Sequence, residues 1–177
     1  MSDKFEEFVR QLNESAGVGD GGIDLVAEKE MWLKKADEFY SLVRESLDEY
    51  TSTGMASLDF VDISLSEELL GAYSMKEARI SLGRQIVKLT PIGTFLVGAR
   101  GRIDMKGPKG LARFVVVPPG TREPRIRVSV GEKPTSSEPV APPETWIWKI
   151  ATPPPRITYI DVTKESFREA LMGVVNG

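Results

Sequence analysis

Residues 93 to 117 read GTFLVGARGRIDMKGPKGLARFVVV, and the alternation in this stretch decides the fold. Phe95, Val97, Ala99, Gly101, Ile103 and Met105 are apolar or glycine, while Arg100, Arg102, Asp104 and Lys106 occupy intervening positions. A period of two is the mark of a strand with one face on a core and the other in water. Gly107-Pro108-Lys109-Gly110 then reverses the chain, and 111 to 117 reads as the antiparallel partner. After Pro118-Pro119-Gly120 the alternation resumes, with Ile126, Val128 and Val130 on one side and Arg125, Arg127 and Ser129 on the other.

Working outward from this hairpin, 58 to 65 reads as a strand whose apolar register shifts between Phe60 and Val61, as a bulge or burial on both faces would require. Ser64 and Glu67 have capping-box spacing and predict a short helix through Leu69, Leu70 and Tyr73. Ile80 and Leu82, then 86 to 89, predict strands interrupted at Gly83-Arg84, and Pro91-Ile92-Gly93 turns the chain into the central hairpin. Further upstream, Trp32, Ala36, Phe39, Val43, Leu47 and Tyr50 recur every three or four residues and predict a long helix from about residue 25 to 50. A short amphipathic helix is expected over 3 to 14, carrying Phe5, Phe8, Val9 and Leu12, followed by a Gly-rich link.

Downstream, residues 131 to 144, rich in Pro, Ser, Glu and Thr, read as a long loop. Trp146, Trp148 and Ile150 alternate as a strand that puts two indoles on one side, and 156 to 160 reads as a last or edge strand. Thr163 caps a helix with the stripe Phe167, Ala170, Leu171 and Val174. The βαβ alternation that a parallel sheet requires is missing. The expected fold class is therefore α+β: a mainly antiparallel sheet of about seven strands, with N-terminal and C-terminal helices packed on one face. Residues 1–24 are expected to be a terminal helix and link, and 25–177 a single domain. The expected core joins Val97, Ile103, Phe114, Ile126, Val128, Trp146 and Trp148 to Phe39, Val43, Phe167 and Leu171.

The composition narrows the chemistry. The 177 residues include neither Cys nor His. That removes thiolate and imidazole nucleophiles, bases and zinc ligands, and a disulfide framework with them. No G-x-S-x-G elbow, Ser-x-x-Lys spacing or Gly-Lys dipeptide of a phosphate loop occurs. Gly17 to Gly22 match G-x-G-x-x-G, but a polar helical stretch precedes them where the dinucleotide fingerprint needs a buried strand, so they read as a link. Gly107 to Gly110 match a GxxG clamp but join strands rather than helices. Pro139 to Pro142 form a bare PxxP, read as a stiff loop. Asp59 and Asp62, three apart on a strand, point to opposite faces and make a poor acid/base pair. No catalytic residues, metal ligands or cofactor are assigned. The chain has no membrane-length apolar window and a charged start, so a soluble, cytoplasmic protein is expected.

Charge is the one departure from an average domain. Residues 1 to 75 carry 6 basic and 17 acidic side chains, whereas residues 76 to 133 carry 13 and 4. The period-two register places Arg100, Arg102 and Lys106 on the polar side of the hairpin, and Arg125 and Arg127 likewise on the later strand. Arg113 joins them, with its facing open because 111 to 117 is apolar on both sides. These six residues are the candidate anion-binding set. The acidic N-terminal region either folds over this field and neutralises it or points away and leaves it free. The leading expectation is a non-enzymatic adaptor, inhibitor or immunity-type protein that holds a partner protein through its charged surface. A binder of nucleic acid or another anionic ligand through the Arg-rich sheet face comes second, with a pI near 5.2 against it. An enzyme restricted to carboxylate, Lys or Tyr chemistry comes third.

Overall fold

The computed structural model describes residues 24–94, 99–124 and 141–177. The helix expected over 3 to 14, the Gly-rich link and the strand expected over 126 to 130 lie outside these described residues, as do Val97, Ile126 and Val128 of the expected core.

Asp24 opens helix α1 (Leu25–Ser52), its carboxylate accepting from the amides of Val26 and Ala27 at 3.1 Å each. That satisfies two of the amides a helix start leaves free. Seven strands follow: β1 (Ala56–Glu67), β2 (Gly71–Leu82), β3 (Gln85–Gly93), β4 (Arg102–Lys106), β5 (Leu111–Val117), β6 (Ile147–Ala151) and β7 (Tyr159–Asp161). Helix α2 (Lys164–Asn176) closes the chain, with Thr163 and Ser166 satisfying each other's backbone amides as a capping box. The strands lie in sequence order in one sheet, every neighbouring pair antiparallel. No helix among the described residues is long and apolar enough to cross a membrane.

Both helices pack their apolar stripes on one face of this sheet. Trp32, Ala36, Phe39, Val43 and Leu47 of α1 and Phe167, Leu171 and Val174 of α2 share a core with Ile80, Val87, Leu89, Ile103, Met105, Phe114 and Ile150. Phe39 stands at its centre, 4.8 Å from the ring of Phe114, 4.9 Å from Trp148 and 6.3 Å from Phe167. Trp148 packs against this cluster, and its indole donates to the Lys35 carbonyl at 2.9 Å. Trp146 is buried too but lies outside this cluster: its indole donates to the Ala141 carbonyl at 2.8 Å, and Arg100 lies over its ring.

Two local expectations are corrected. Residues 64 to 73 form no helix: β1 runs through Glu67, a turn follows, and β2 begins at Gly71. The capping box never forms because the Glu67 carboxylate is taken by the Tyr73 hydroxyl and the Thr94 amide. There is no bulge at Phe60 and Val61 either, since β1 and β2 pair without interruption from Ala56↔Leu82 to Glu67↔Gly71. Of the two alternatives, burial on both faces holds. Leu58 and Phe60, paired with Ile80 and Ala78, pack on the core, and so do Ile63 and Leu65, paired with Met75 and Tyr73. The β1–β2 ribbon turns its other side inward as it leaves β3, whose pairing with β2 ends at Ala78↔Leu89. Two-stranded ribbons twist more than wide sheets, which permits the turn. At the point of separation the Tyr40 hydroxyl donates to the Lys76 carbonyl at 2.6 Å. Burial pushes that phenol well above its ordinary range, with Glu77 adding to the shift.

Candidate binding surface

With the helices on one face, the opposite face of the sheet carries the alternate residues. Cross-strand register sorts them into rows. Asp59 stands opposite Arg79, Arg79 opposite Lys88, and Lys88 opposite Lys106. In the next row Thr90 faces Asp104, Asp104 faces Arg113, and Arg113 faces Ala151. A third row runs from Arg102 to Val115 to Lys149 to Asp161.

Part of this charge is matched internally. Arg79 Nε donates to Glu77 at 3.1 Å, and the same carboxylate accepts from the Thr90 hydroxyl at 2.9 Å. Arg102 grips Asp104 with two parallel hydrogen bonds of 2.6 and 2.7 Å, which hold its guanidinium even more firmly protonated than usual. Lys149 pairs with Asp161. Among the described residues, the cations of this face without a partner lie together: Lys88 and Lys106 are exposed and opposite one another, and the neighbouring Arg113 has a buried Nε with no hydrogen-bond partner. Like charges opposite each other on a sheet destabilise it, and a buried donor without an acceptor adds to that cost.

The six residues marked in the sequence thus separate. Arg102, Lys106 and Arg113 lie on this face; Arg125 and Arg127 fall outside the described residues. Arg100 does not share the face with Arg102. Its amide donates to the Val116 carbonyl while the Val116 amide donates to the Gly101 carbonyl, so two residues oppose one. Such a bulge re-aims a side chain. Arg100 turns toward the helix side, pairs with Glu28 in the first turn of α1, and covers Trp146 with ring centroid and guanidinium 5.2 Å apart. One carboxylate of the acidic N-terminal half therefore does neutralise one arginine of the basic segment. Lys88 and Arg79 belong to the surface and were not singled out from the sequence. Lys88 does alternate with Val87 and Leu89, a legible hint, but only the β2–β3–β4 register sets it beside Lys106.

Another polar cluster sits under the β1–β2 turn. Trp32 Nε1 donates to the Tyr73 hydroxyl at 3.0 Å, that hydroxyl donates to Glu67, and the Thr94 amide reaches both Glu67 oxygens at 3.2 and 3.1 Å. Burial, and next the hydrogen bond to Glu67, raise the Tyr73 phenol far above its usual range. Every group here is engaged with another, so the cluster pins the end of β3 to the β1–β2 ribbon. Because the ribbon turns over between Phe60 and Ile63, Asp59 and Asp62 are both exposed and point away from the core, Asp59 opposite Arg79 and Asp62 paired with Lys76. Among the described residues no three carboxylates converge in a way that could hold a metal ion.

Comparisons with models of known protein families, with curated proteins and with solved structures find no match. The functional reading rests on the chain's own geometry.

Proposed function

We propose that this is a non-enzymatic binding protein that recruits an acidic surface of a partner protein to the face of its sheet opposite α1 and α2. The observation that carries the reading is the exposed Lys88–Lys106 pair, beside Arg79 and Arg113, on the face away from both helices. The carboxylates of α1 are on the other side of the sheet, and of those the strands place on this face Glu77, Asp104 and Asp161 are paired with Arg79, Arg102 and Lys149, while Asp59 stands opposite Arg79, two strands away from Lys88. An opposing carboxylate surface would relieve the repulsion between the lysines. Among the described residues this face offers Tyr159 as its one aromatic ring, too little for a base-stacking platform, which favours a protein partner over single-stranded nucleic acid.

The test is affinity capture from cell extract on immobilised protein, comparing the wild type with the Lys88→Glu/Lys106→Glu variant. A partner held through this face is retained by the wild type, is lost from the variant, and dissociates as salt rises past about 0.15 M, where the screening length falls to roughly 8 Å. Capture of the same proteins by both forms refutes the reading.

A further inference from the structure

A cleft of about 390 Å³ opens between the C-terminal end of α1 and α2, lined by none of the residues of the lysine surface. Leu47 and Tyr50 of α1, Leu82 at the end of β2, and Arg168, Leu171, Met172, Val175 and Asn176 of α2 line it. The volume is within the range of small-molecule sites, about 300 to 1,000 Å³. Its wall is mainly apolar, with Arg168 the one charged side chain, Asn176 a second polar group and Tyr50 an aromatic ring. Arg168, Met172 and Asn176 follow each other at intervals of four along α2 and so form one stripe of that helix, with Leu171 and Val175 beside them.

Arg168 is held in place rather than left to wander. Its Nε donates to the Ser46 carbonyl at 2.8 Å, and its guanidinium lies 5.4 Å from the centre of the Tyr50 ring. No described acceptor takes its two terminal nitrogens. A guanidinium oriented by one backbone carbonyl and one ring, and with its other two nitrogens unengaged, is preorganised for a bidentate carboxylate. Met172 is 55% exposed at the rim, and a flexible thioether side chain adapts readily to an apolar guest. The bland account makes Arg168 a brace between the two helices, which would explain its Nε but leaves the apolar cleft beside it without a use.

From the cavity, its mainly apolar lining and the fixed cation together, we propose that this cleft binds a free, single-chain aliphatic carboxylate of medium length. The carboxylate sits on the terminal nitrogens of Arg168, and the chain lies along Leu47, Leu82, Leu171 and Val175. No bond is made or broken.

The experiment is titration of the full chain with octanoate, decanoate and dodecanoate below their micellar concentrations, followed by calorimetry and by amide chemical shifts. Binding should saturate at one equivalent and tighten about three- to fourfold per added methylene, the worth of burying one such group. The shifts should concentrate at Leu47, Tyr50, Leu82 and Met172. Decanol should bind at least tenfold more weakly than decanoate, and Arg168→Gln should erase that preference while decanol binding persists. Because Arg168→Gln also removes the brace, Met172→Glu provides a second arm. On the exposed rim, four residues from Arg168, it captures the guanidinium internally, so carboxylate binding should fall at least tenfold with an unchanged melting temperature. Equal binding of decanoate and decanol to the wild type, undiminished decanoate binding by Met172→Glu, or shifts centred elsewhere would each overturn the proposal.

Discussion

Phe39→Ala is the perturbation that tests the architecture most directly. The ring is 1% exposed and lies between three elements: α1 itself, the sheet through Phe114 and Trp148, and α2 through Phe167. Truncating a buried phenylalanine costs about 3 to 5 kcal/mol, and the value depends on how far the surroundings can collapse into the gap. Here the walls are rigid rings carried on strands and a second helix, each held by its own packing, so collapse is poor. The loss should fall in the upper half of that range, about 4 to 5 kcal/mol. Some of it reflects forfeited ring-on-ring contacts, each worth about 0.5 to 1.5 kcal/mol beyond area alone. For a domain of this size it corresponds to a drop in melting temperature of about 8 to 20 °C. Urea unfolding followed by far-UV circular dichroism measures it, with Phe39→Leu as the partner variant that refills most of the volume and should lose about 1.5 kcal/mol or less. A Phe39→Ala loss under about 2 kcal/mol, or equal losses in the two variants, would mean that this ring is not the junction of sheet and helices.

Gly107→Ala should destabilise by about 1 to 3 kcal/mol, because a Cβ there would lie 2.7 Å from the Val174 carbonyl carbon, where the β4–β5 turn docks on the end of α2 through the Lys109 amide at 2.9 Å; an unchanged urea midpoint would refute that docking. Lys106→Glu should raise stability by roughly 0.2 to 1 kcal/mol by replacing a like-charge pair with an opposite one across β3 and β4, and a lowered melting temperature would show that the lysines are internally compensated. Alkaline pH should expose Tyr40. Its phenol is raised in the folded state, so its contribution is fully present below the ordinary tyrosine value near 10 and is lost as pH climbs from there toward the raised native value. In that window Tyr40→Phe should flatten the fall in stability by up to about 1.4 kcal/mol per pH unit, and identical slopes for the two proteins would contradict its burial. Esterase, phosphatase and nucleotide-hydrolysis assays on metal-supplemented protein should stay at background; turnover abolished by one carboxylate substitution would overturn the non-enzymatic reading.

Local patterns in the chain were enough to specify its elements wherever one side chain period dominated. The α1 stripe from Trp32 to Leu47, the Thr163 cap, the alternation through Ile103 and Met105 and the Gly107 to Gly110 turn each state their structure in adjacent residues, because backbone geometry alone sets periods of 3.6 and 2. Helices at both ends with strands between them then left an antiparallel sheet as the economical arrangement. Residues 64 to 73 were legible only in three dimensions. Their capping-box spacing is a local preference worth about a kcal/mol, and the continuous ladder with β1 and the capture of Glu67 by Tyr73 and Thr94 outweigh it. The candidate surface divides in the same way. Sequence alternation put Arg102 and Lys106 on one side of β4, but it placed Arg100 with them because a bulge leaves no mark in the order of residues. The Lys88–Lys106 pair and the Arg168 cleft join residues far apart in the chain, and such juxtapositions depend on register between strands and on how two helices meet. Those are set by the summed packing of the core, a property of the whole chain that no single stretch of it contains.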